Sequence, residues 1–123
     1  MNQLQEKLEI LKSSDCITEN AHFICQKTME EFYAEADARG YSTLITHLAM
    51  AVTRIERKKP LDRPPAVIMK EIYNSPNLEE ARRRVIWIES QLNQPIPMEE
   101  KEFLFMHFVA VLTTCNDKRR KEK

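Results

Sequence analysis

Glycine occurs only once in this chain of 123 residues, at position 40. The tight turns of β-hairpins depend on glycine because it adopts positive φ angles that other residues adopt only at a cost. A chain with one glycine is therefore poorly suited to a sheet of hairpins. Six prolines, at 60–65, 76 and 95–97, supply helix breakers instead. The sequence predicts an all-α fold in which proline-containing loops separate the helices.

The spacing of apolar and helix-capping residues predicts six helices. Apolar residues recur every three or four positions, which places them on one side of a helix. The first two predicted helices span 2–13 and roughly 19–38, and the third runs from its cap to about residue 58. The fourth opens at Pro64 or Pro65 and runs through Tyr73, and the last two span about 78–92 and 98–114. Thr18 is a suitable N-cap for the second helix, and Ser42 or Thr43 for the third. Gly40 is expected to end the second helix in a left-handed conformation. Asn77 and Glu80 are expected to form a capping box.

The length of the chain fits one compact domain. We find no repeat of solenoid period, no low-complexity tract and no linker long enough to separate two domains. The predicted architecture is a single helical bundle of five to six helices over 15–114. A helical extension over 1–14 precedes it, and a basic, disordered tail over 115–123 follows it.

Charge and motif content exclude several functional classes. The 19 basic and 19 acidic residues cancel, which does not indicate a nucleic-acid-binding surface. The chain lacks both an apolar stretch long enough for a membrane and an apolar signal core, so we expect a cytoplasmic protein. It also lacks a glycine-rich phosphate loop, a nucleophile elbow and a metalloprotease helix motif. We therefore expect neither enzyme activity nor a cofactor.

Cysteine and histidine raise the question of a metal site. Cys16, Cys25 and Cys115 form no CxxC pair, which favours free thiols. His22 and Cys25 lie one helical turn apart, with Cys16 nearby, but zinc sites usually show closer cysteine pairs and a fourth ligand. We expect no metal site, and we interpret His22 as a surface or packing residue.

The other two histidines, His47 and His107, lie in similar settings on the third and sixth helices. Arg54 follows His47 by seven residues, and Glu100 precedes His107 by seven. Two helical turns bring each such pair back to nearly the same side of the helix. Thr43, one turn before His47, lies near the same edge, where the imidazole is expected to be half-exposed. A histidine at the edge of a core is more often a hydrogen-bonded packing residue than a functional one, and both interpretations stay open on spacing alone.

A family resemblance adds to this pattern. The segments that carry it are LITHLAMAVTRI, KKPLDRPP, IMKEIY and EEARRRVIWIESQLNQPIPMEEKEFLFMHF. In order and spacing they resemble the PTS regulation domain of bacterial antiterminators and activators of sugar operons, and the likeness covers about residues 15–114. The positions that match the family pattern are His47, Leu48, Arg54, Pro64, Tyr73, Glu100 and His107.

The resemblance implies a helical bundle that dimerises and that is phosphorylated on His47 and His107. The implied donors are the phosphocarrier protein or a sugar-specific permease component of the phosphotransferase system. Arg54 would support a phosphoryl group on His47, because guanidinium groups bind phosphate oxygens bidentately. Glu100 would instead orient the neutral ring of His107 and repel a phosphate placed beside it.

Regulators of this family usually carry a nucleic-acid-binding module and often two copies of the domain, whereas this sequence matches one copy. We therefore expect the domain to act through protein partners, such as another regulator, with no direct binding of nucleic acid or membrane. The alternative is a structural or dimerisation module that keeps the fold without the phosphorylation switch.

Overall fold

The computed structural model describes residues 3–34 and 40–121, with side chains up to residue 114. The described residues form six α-helices and no β-strand, which confirms the predicted all-α fold. The helices are α1 Gln3–Ser13, α2 Glu19–Phe32, α3 Ser42–Glu56, α4 Ala66–Tyr73, α5 Leu78–Leu92 and α6 Met98–Lys121. None of the described helices combines the length and the hydropathy that a membrane crossing requires.

The chain is divided into two compact units, unit 1 (Met1–Pro60) and unit 2 (Leu61–Lys123). Unit 1 contains α1 to α3, and unit 2 contains α4 to α6. The boundary lies in residues 57–65, which are outside the helices. Residues that precede proline avoid the helical conformation, so the prolines of this segment separate α3 from α4. The boundary between the units thus falls inside the range for which the sequence predicts a single bundle.

In unit 1, α1 packs on α2, and α2 packs on α3. The side chains of Leu4 and Leu8 on α1 are buried, and Leu8 is fully inaccessible to solvent. Burial of a leucine side chain contributes about 1.5–3 kcal/mol to stability. The helix that the sequence predicts as an extension therefore contributes to the core of unit 1.

The end of α2 differs from its prediction. The helix ends at Phe32 instead of continuing to residue 38, and residues 35–38 lie outside the described part of the chain. Tyr33 is buried and stacks on the buried ring of Tyr41, with 4.5 Å between ring centroids. This aromatic contact stabilises the non-helical conformation of the chain after Phe32. The predicted left-handed conformation at Gly40 is also wrong, because no glycine has a positive φ.

Left-handed backbone conformations occur at Asp15, Lys58 and Asn93 instead. Lys58 follows the end of α3, and Asn93 ends α5 with a φ of 62°. Asparagine tolerates this region better than most residues because its short side chain bonds locally. The helix-ending role that the sequence assigns to the single glycine is thus carried by non-glycine residues.

Of the three predicted N-terminal helix caps, one is confirmed and two are wrong. Thr18 caps α2 as predicted, because its hydroxyl accepts a hydrogen bond from the backbone N–H of Ala21 at 3.1 Å. The N-cap of α3 is Tyr41, and no side chain caps that helix. Asn77 forms no side-chain cap on α5; its amide donates to the hydroxyl of Thr113 on α6 at 3.1 Å.

In unit 2, α6 packs against α5 and α4. Phe108 and Leu104 on α6 are almost fully buried, as is Ile88 on α5. The helix runs to Lys121, whereas the sequence predicts its end at residue 114 and a disordered tail beyond. The side chain of Cys115 lies outside the described residues. Cys16 and Cys25 are free thiols as predicted, and burial raises the pKa of the Cys25 thiol.

Candidate functional site

His47 lies on α3 at the edge of the core of unit 1. Its neighbours Leu44 and Leu48 are buried, whereas the imidazole itself is half-buried, as helical spacing predicts. Arg54, two turns further along α3, is also half-buried. The ring is therefore on the flank of a helix whose opposite side is held in the core.

The imidazole of His47 borders a polar cavity of about 160 Å³. The cavity is lined by Lys7, Ser42, Thr43, Thr46 and His47, and we refer to it as the His47 cavity. One wall comes from α1 and the other from the first two turns of α3. The hydroxyl of Thr46 donates to the backbone carbonyl of Ser42 at 2.9 Å. Thr43, which the sequence places near this edge, is an exposed member of the cavity.

The surroundings of His47 lower the pKa of its imidazole below the ordinary value of 6.5. Partial burial is the largest cause, because it disfavours the charged ring. The positive charges of Arg54 and Lys7 act in the same direction. At neutral pH the ring is therefore neutral and keeps a lone pair on one nitrogen, which makes it a nucleophile.

The far end of α3 is fixed to the start of α2 by hydrogen bonds. The backbone N–H of Thr18 donates to the hydroxyl of Thr53 at 3.1 Å, and the hydroxyl of Thr18 donates to the carboxylate of Glu56. Arg57 donates to both the carboxylate and the backbone carbonyl of Asp15, each at 2.9 Å. These contacts hold the helix that carries His47 in a defined position within unit 1.

His107 lies on α6 in unit 2 and is half-buried. The ring of Phe103 meets its imidazole edge-on, with 4.6 Å between centroids. Glu100 is buried, with 2% of its surface exposed, and precedes His107 by a helical rise of about 10.5 Å. Thr114, seven residues after His107, is exposed, and its hydroxyl donates to the carbonyl of Ala110 at 3.0 Å.

The sequence profile of the PRD domain matches residues 19–111, which is most of the chain. This chain belongs to the PRD family. The match includes His47, Arg54, Glu100 and His107, and it confirms the resemblance to PTS regulation domains. PRD domains are regulatory rather than catalytic. No curated protein and no solved structure matches the chain significantly.

The PRD match leaves α1 outside its limits, since α1 ends at Ser13 and the match begins at residue 19. Lys7 is therefore a neighbour of His47 that the family pattern does not contain. Nothing local in the sequence indicates this neighbour, because 40 residues separate Lys7 from His47 along the chain. Only the packing of Leu4 and Leu8 brings this helix to the His47 cavity.

A second polar cluster of this PRD domain surrounds Glu102 on α6. Glu102 is only 1% exposed, and its carboxylate accepts from Arg63 Nε at 2.8 Å and Nη2 at 3.0 Å. The hydroxyl of Tyr73 donates to the same carboxylate at 2.7 Å. Hydrogen bonds from Arg63 and then Tyr73 hold the pKa of Glu102 below its usual range. The bond to Glu102 is also the main reason why the pKa of Tyr73 is raised.

Tyr73 is the member of this cluster that matches the family pattern in the sequence. Arg63 and Glu102 were not predicted as site residues. A signal for Glu102 exists in the sequence: Phe105 and Val109, three and seven residues later, share its side of α6. A carboxylate on an apolar side must be paired when it is buried. Its partner Arg63 lies 39 residues away, and nothing local in the sequence identifies it.

The residues considered for a metal site serve other contacts. His22 is buried, with its Nε2 atom 3.3 Å from Oε1 of Glu9. The thiol of Cys25 donates to the carbonyl of Ile45 at 3.5 Å, and Cys16 is exposed. Over residues 3–34 and 40–114, no group of three or more potential ligands is placed to hold a metal ion.

Proposed function

We propose that this PRD domain is a regulatory domain that is phosphorylated on His47 and His107 by a phosphocarrier protein or sugar permease component of the phosphotransferase system. It would act as a homodimer through protein partners, such as another regulator, in carbohydrate-responsive control of transcription. The main support is the family match, which includes both histidines, together with the half-buried position of each ring. Because the proposed phosphoryl donors act in the cytoplasm, the domain would act there as well.

The proposed chemistry is phosphoryl transfer between imidazoles. The lone pair of the unprotonated ring nitrogen of His47 attacks the phosphorus of a donor phosphohistidine. The nitrogen–phosphorus bond of the donor breaks, and its electron pair returns to the donor ring. One such bond is exchanged for another, so no electrons are gained or lost. The lowered pKa of His47 supports this step, because it keeps the accepting ring neutral at physiological pH.

The proposed switch is electrostatic. A phosphoryl group adds roughly 1.5–2 negative charges, by analogy with other phosphorylated side chains. Arg54 can neutralise that charge near His47, whereas Glu100 would oppose it near His107. Phosphorylation at the two positions would therefore have different energetic consequences, which suits a domain that distinguishes two signals.

The test is direct labelling of the purified protein. We would incubate it with phosphorylated carrier protein and, separately, with a phosphorylated permease component. The products would be analysed by mass spectrometry under conditions that preserve acid-labile phosphohistidine. We expect phosphorylation of the wild type, loss of one site in His47→Ala, loss of the other in His107→Ala, and no label in the double variant.

The third histidine provides the matched control, since His22→Gln also removes an imidazole and should keep both labelled positions. Circular dichroism would verify that each variant is folded. Absence of label on the folded wild type with both kinds of donor would contradict the proposal. The remaining function would then be the alternative, a structural or dimerisation module that keeps the PRD fold without the switch.

A further inference from the structure

The His47 cavity brings a lysine of α1 next to the proposed phosphorylation site on α3. Lys7 and His47 line the same cavity, together with the hydroxyl-bearing residues Ser42, Thr43 and Thr46. None of these lining residues is a carboxylate. The cavity therefore presents the ammonium group of Lys7 and the hydroxyl groups of Ser42 and Thr43 to one imidazole, while the hydroxyl of Thr46 donates to the backbone of α3.

The size of the cavity suits a phosphoryl group. One water needs roughly 10–15 Å³ of such a volume, so the 160 Å³ of the His47 cavity leave room for a group larger than a single water. The ammonium group of lysine has three N–H donors and binds phosphate as a point charge. Serine and threonine hydroxyls can donate to the remaining phosphoryl oxygens.

The position of Lys7 is defined by the packing of α1. Leu4 and Leu8 flank it in the sequence, and both are buried in unit 1. The backbone at Lys7 is thus fixed, while its long side chain is exposed and can follow a group that enters the cavity. The charge of Lys7 already acts on the imidazole, because it contributes to the lowered pKa of His47 after burial and Arg54.

We infer that Lys7 is a phosphoryl-binding residue of the His47 cavity and that it holds a phosphoryl group on His47 together with Arg54 and the hydroxyls of Ser42 and Thr43. This inference rests on the proposed function and adds to it a residue that lies outside the PRD match. It gives α1 a role in the regulation of this domain beyond its packing in the core.

The experiment compares Lys7→Gln with Lys12→Gln. Lys12 lies on the same helix and pairs with Glu9, and it is not among the residues that line the cavity. Lys12→Gln therefore removes the same charge from α1 without touching the site. Lys7→Arg keeps the charge, and Lys7→Glu reverses it. Because Lys7 is exposed, all four variants are expected to fold, which thermal unfolding would verify.

Phosphoryl groups would be delivered in two ways. Phosphorylated carrier protein tests the proposed function and the role of Lys7 together. Phosphoramidate tests Lys7 without a protein donor: a ring nitrogen bonds to phosphorus, the phosphorus–nitrogen bond of the reagent breaks, and ammonia leaves with the bonding electrons. In both series the fraction of phosphorylated His47 is measured by mass spectrometry, with His107 in the same molecule as the internal reference.

We expect Lys7→Gln to lower the ratio of phosphorylated to free His47 about five- to tenfold, and Lys7→Glu to lower it further. Lys12→Gln and Lys7→Arg should stay within about twofold of the wild type. The difference between wild type and Lys7→Gln should shrink as salt is raised, because salt screens exposed charges. A purely structural role for Lys7 would not produce this salt dependence.

The two donors separate the possible failures. If phosphoramidate modifies His47 equally in the wild type and Lys7→Gln, the role of Lys7 is refuted while the proposed function stands. If phosphoramidate shows the Lys7 effect but no protein donor labels His47, the proposed function fails and the anion-binding cavity stands. If phosphoramidate leaves wild-type His47 unmodified, the inference about Lys7 is overturned as well.

Discussion

The two matched histidines of this PRD domain share a helical position and differ in electrostatic surroundings. Partial burial lowers the pKa of the His47 ring, and the positive charges of the nearby Arg54 and Lys7 lower it further. His107 lies on a helix whose preceding turns carry the buried carboxylates Glu100 and Glu102. The residue seven positions from the histidine is thus a cation, Arg54, in unit 1 and a carboxylate, Glu100, in unit 2.

This difference shows that the spacing of a histidine on a helix does not determine how its site responds to charge. A phosphoryl group on His47 would be attracted by its neighbours. One on His107 would add negative charge to a helix that already carries the carboxylate of Glu100 two turns earlier. The comparison can be tested by changing one charge in each region.

The largest effect is expected when the charged residue seven positions from each histidine, Arg54 or Glu100, is replaced by an uncharged one. Arg54→Gln should lower the phosphorylated fraction of His47 about tenfold, because it removes a charge-assisted hydrogen bond to phosphate. Glu100→Gln should raise the phosphorylated fraction of His107, because it removes a like charge. Both fractions would be measured by mass spectrometry after incubation with the same phosphorylated carrier protein.

Two neighbouring charges serve as controls for this pair. Lys59→Gln removes an exposed cation just beyond the end of α3, and Glu99→Gln removes a carboxylate beside Glu100. Neither control should change the phosphorylated fraction of the neighbouring histidine more than about twofold. A change in the same direction for Arg54→Gln and Glu100→Gln would show that the two settings are equivalent.

An intermediate effect is expected from Glu102→Gln, which acts on the stability of unit 2. The pKa of Glu102 is held below its ordinary value of 4.5, so its ion pair stabilises the fold above that pH and loses this effect as the pH falls. At pH 7 we expect the variant to unfold roughly 5–10 °C below the wild type. The difference between the two melting temperatures should shrink as the pH falls below 4.5.

Thermal unfolding monitored by circular dichroism at several pH values would measure this difference. Glu71→Gln on α4 is the control, and it should melt close to the wild type because Glu71 is exposed and surface charges contribute little. A melting difference that persists unchanged at low pH would mean that Glu102 acts through packing and not through its charge.

The smallest effect concerns the protonation of His47. Since the folded state lowers the pKa of this ring, the unfolded chain binds protons more readily once the pH falls below 6.5. The wild type should therefore lose a little stability between pH 7 and pH 5, and His47→Gln should reduce that loss. The change amounts to about 1–2 °C in the melting temperature.

Nuclear magnetic resonance titration of the imidazole would measure the same quantity directly. We expect the His47 ring to titrate below 6.5, and Lys7→Gln should move its pKa upward. Titration of the wild-type ring at or above 6.5 would contradict the cationic setting on which the comparison depends. Unit 1 would thus respond to mildly acidic pH, and the Glu102 cluster of unit 2 only to stronger acid.

Local sequence signals predicted those helix ends that depend on local interactions. Pro65 precedes α4, Thr18 caps α2, and α5 begins and ends where its apolar spacing indicates. The failures involve partners that are distant in the sequence. Asn77 donates to Thr113 on another helix, so the expected cap on α5 is not formed.

In the candidate site, too, the features that depend on one helix were predicted, and those that depend on distant partners were not. Helical spacing correctly placed His47 at a half-buried edge, because that position depends only on α3. The neighbours that set its chemistry could not be read in the same way. Lys7 reaches the cavity through the packing of α1, and Arg63 reaches Glu102 across a loop and two helices.

The burial of Leu8 has a practical consequence for anyone who isolates this domain. A protein trimmed to the limits of the family match would begin at residue 19 and would lack α1. It would expose to water the apolar surface of α2 that Leu4 and Leu8 cover, and it would open one side of the His47 cavity. Measurements on such a fragment would describe an altered environment of His47, however well its remaining helices folded.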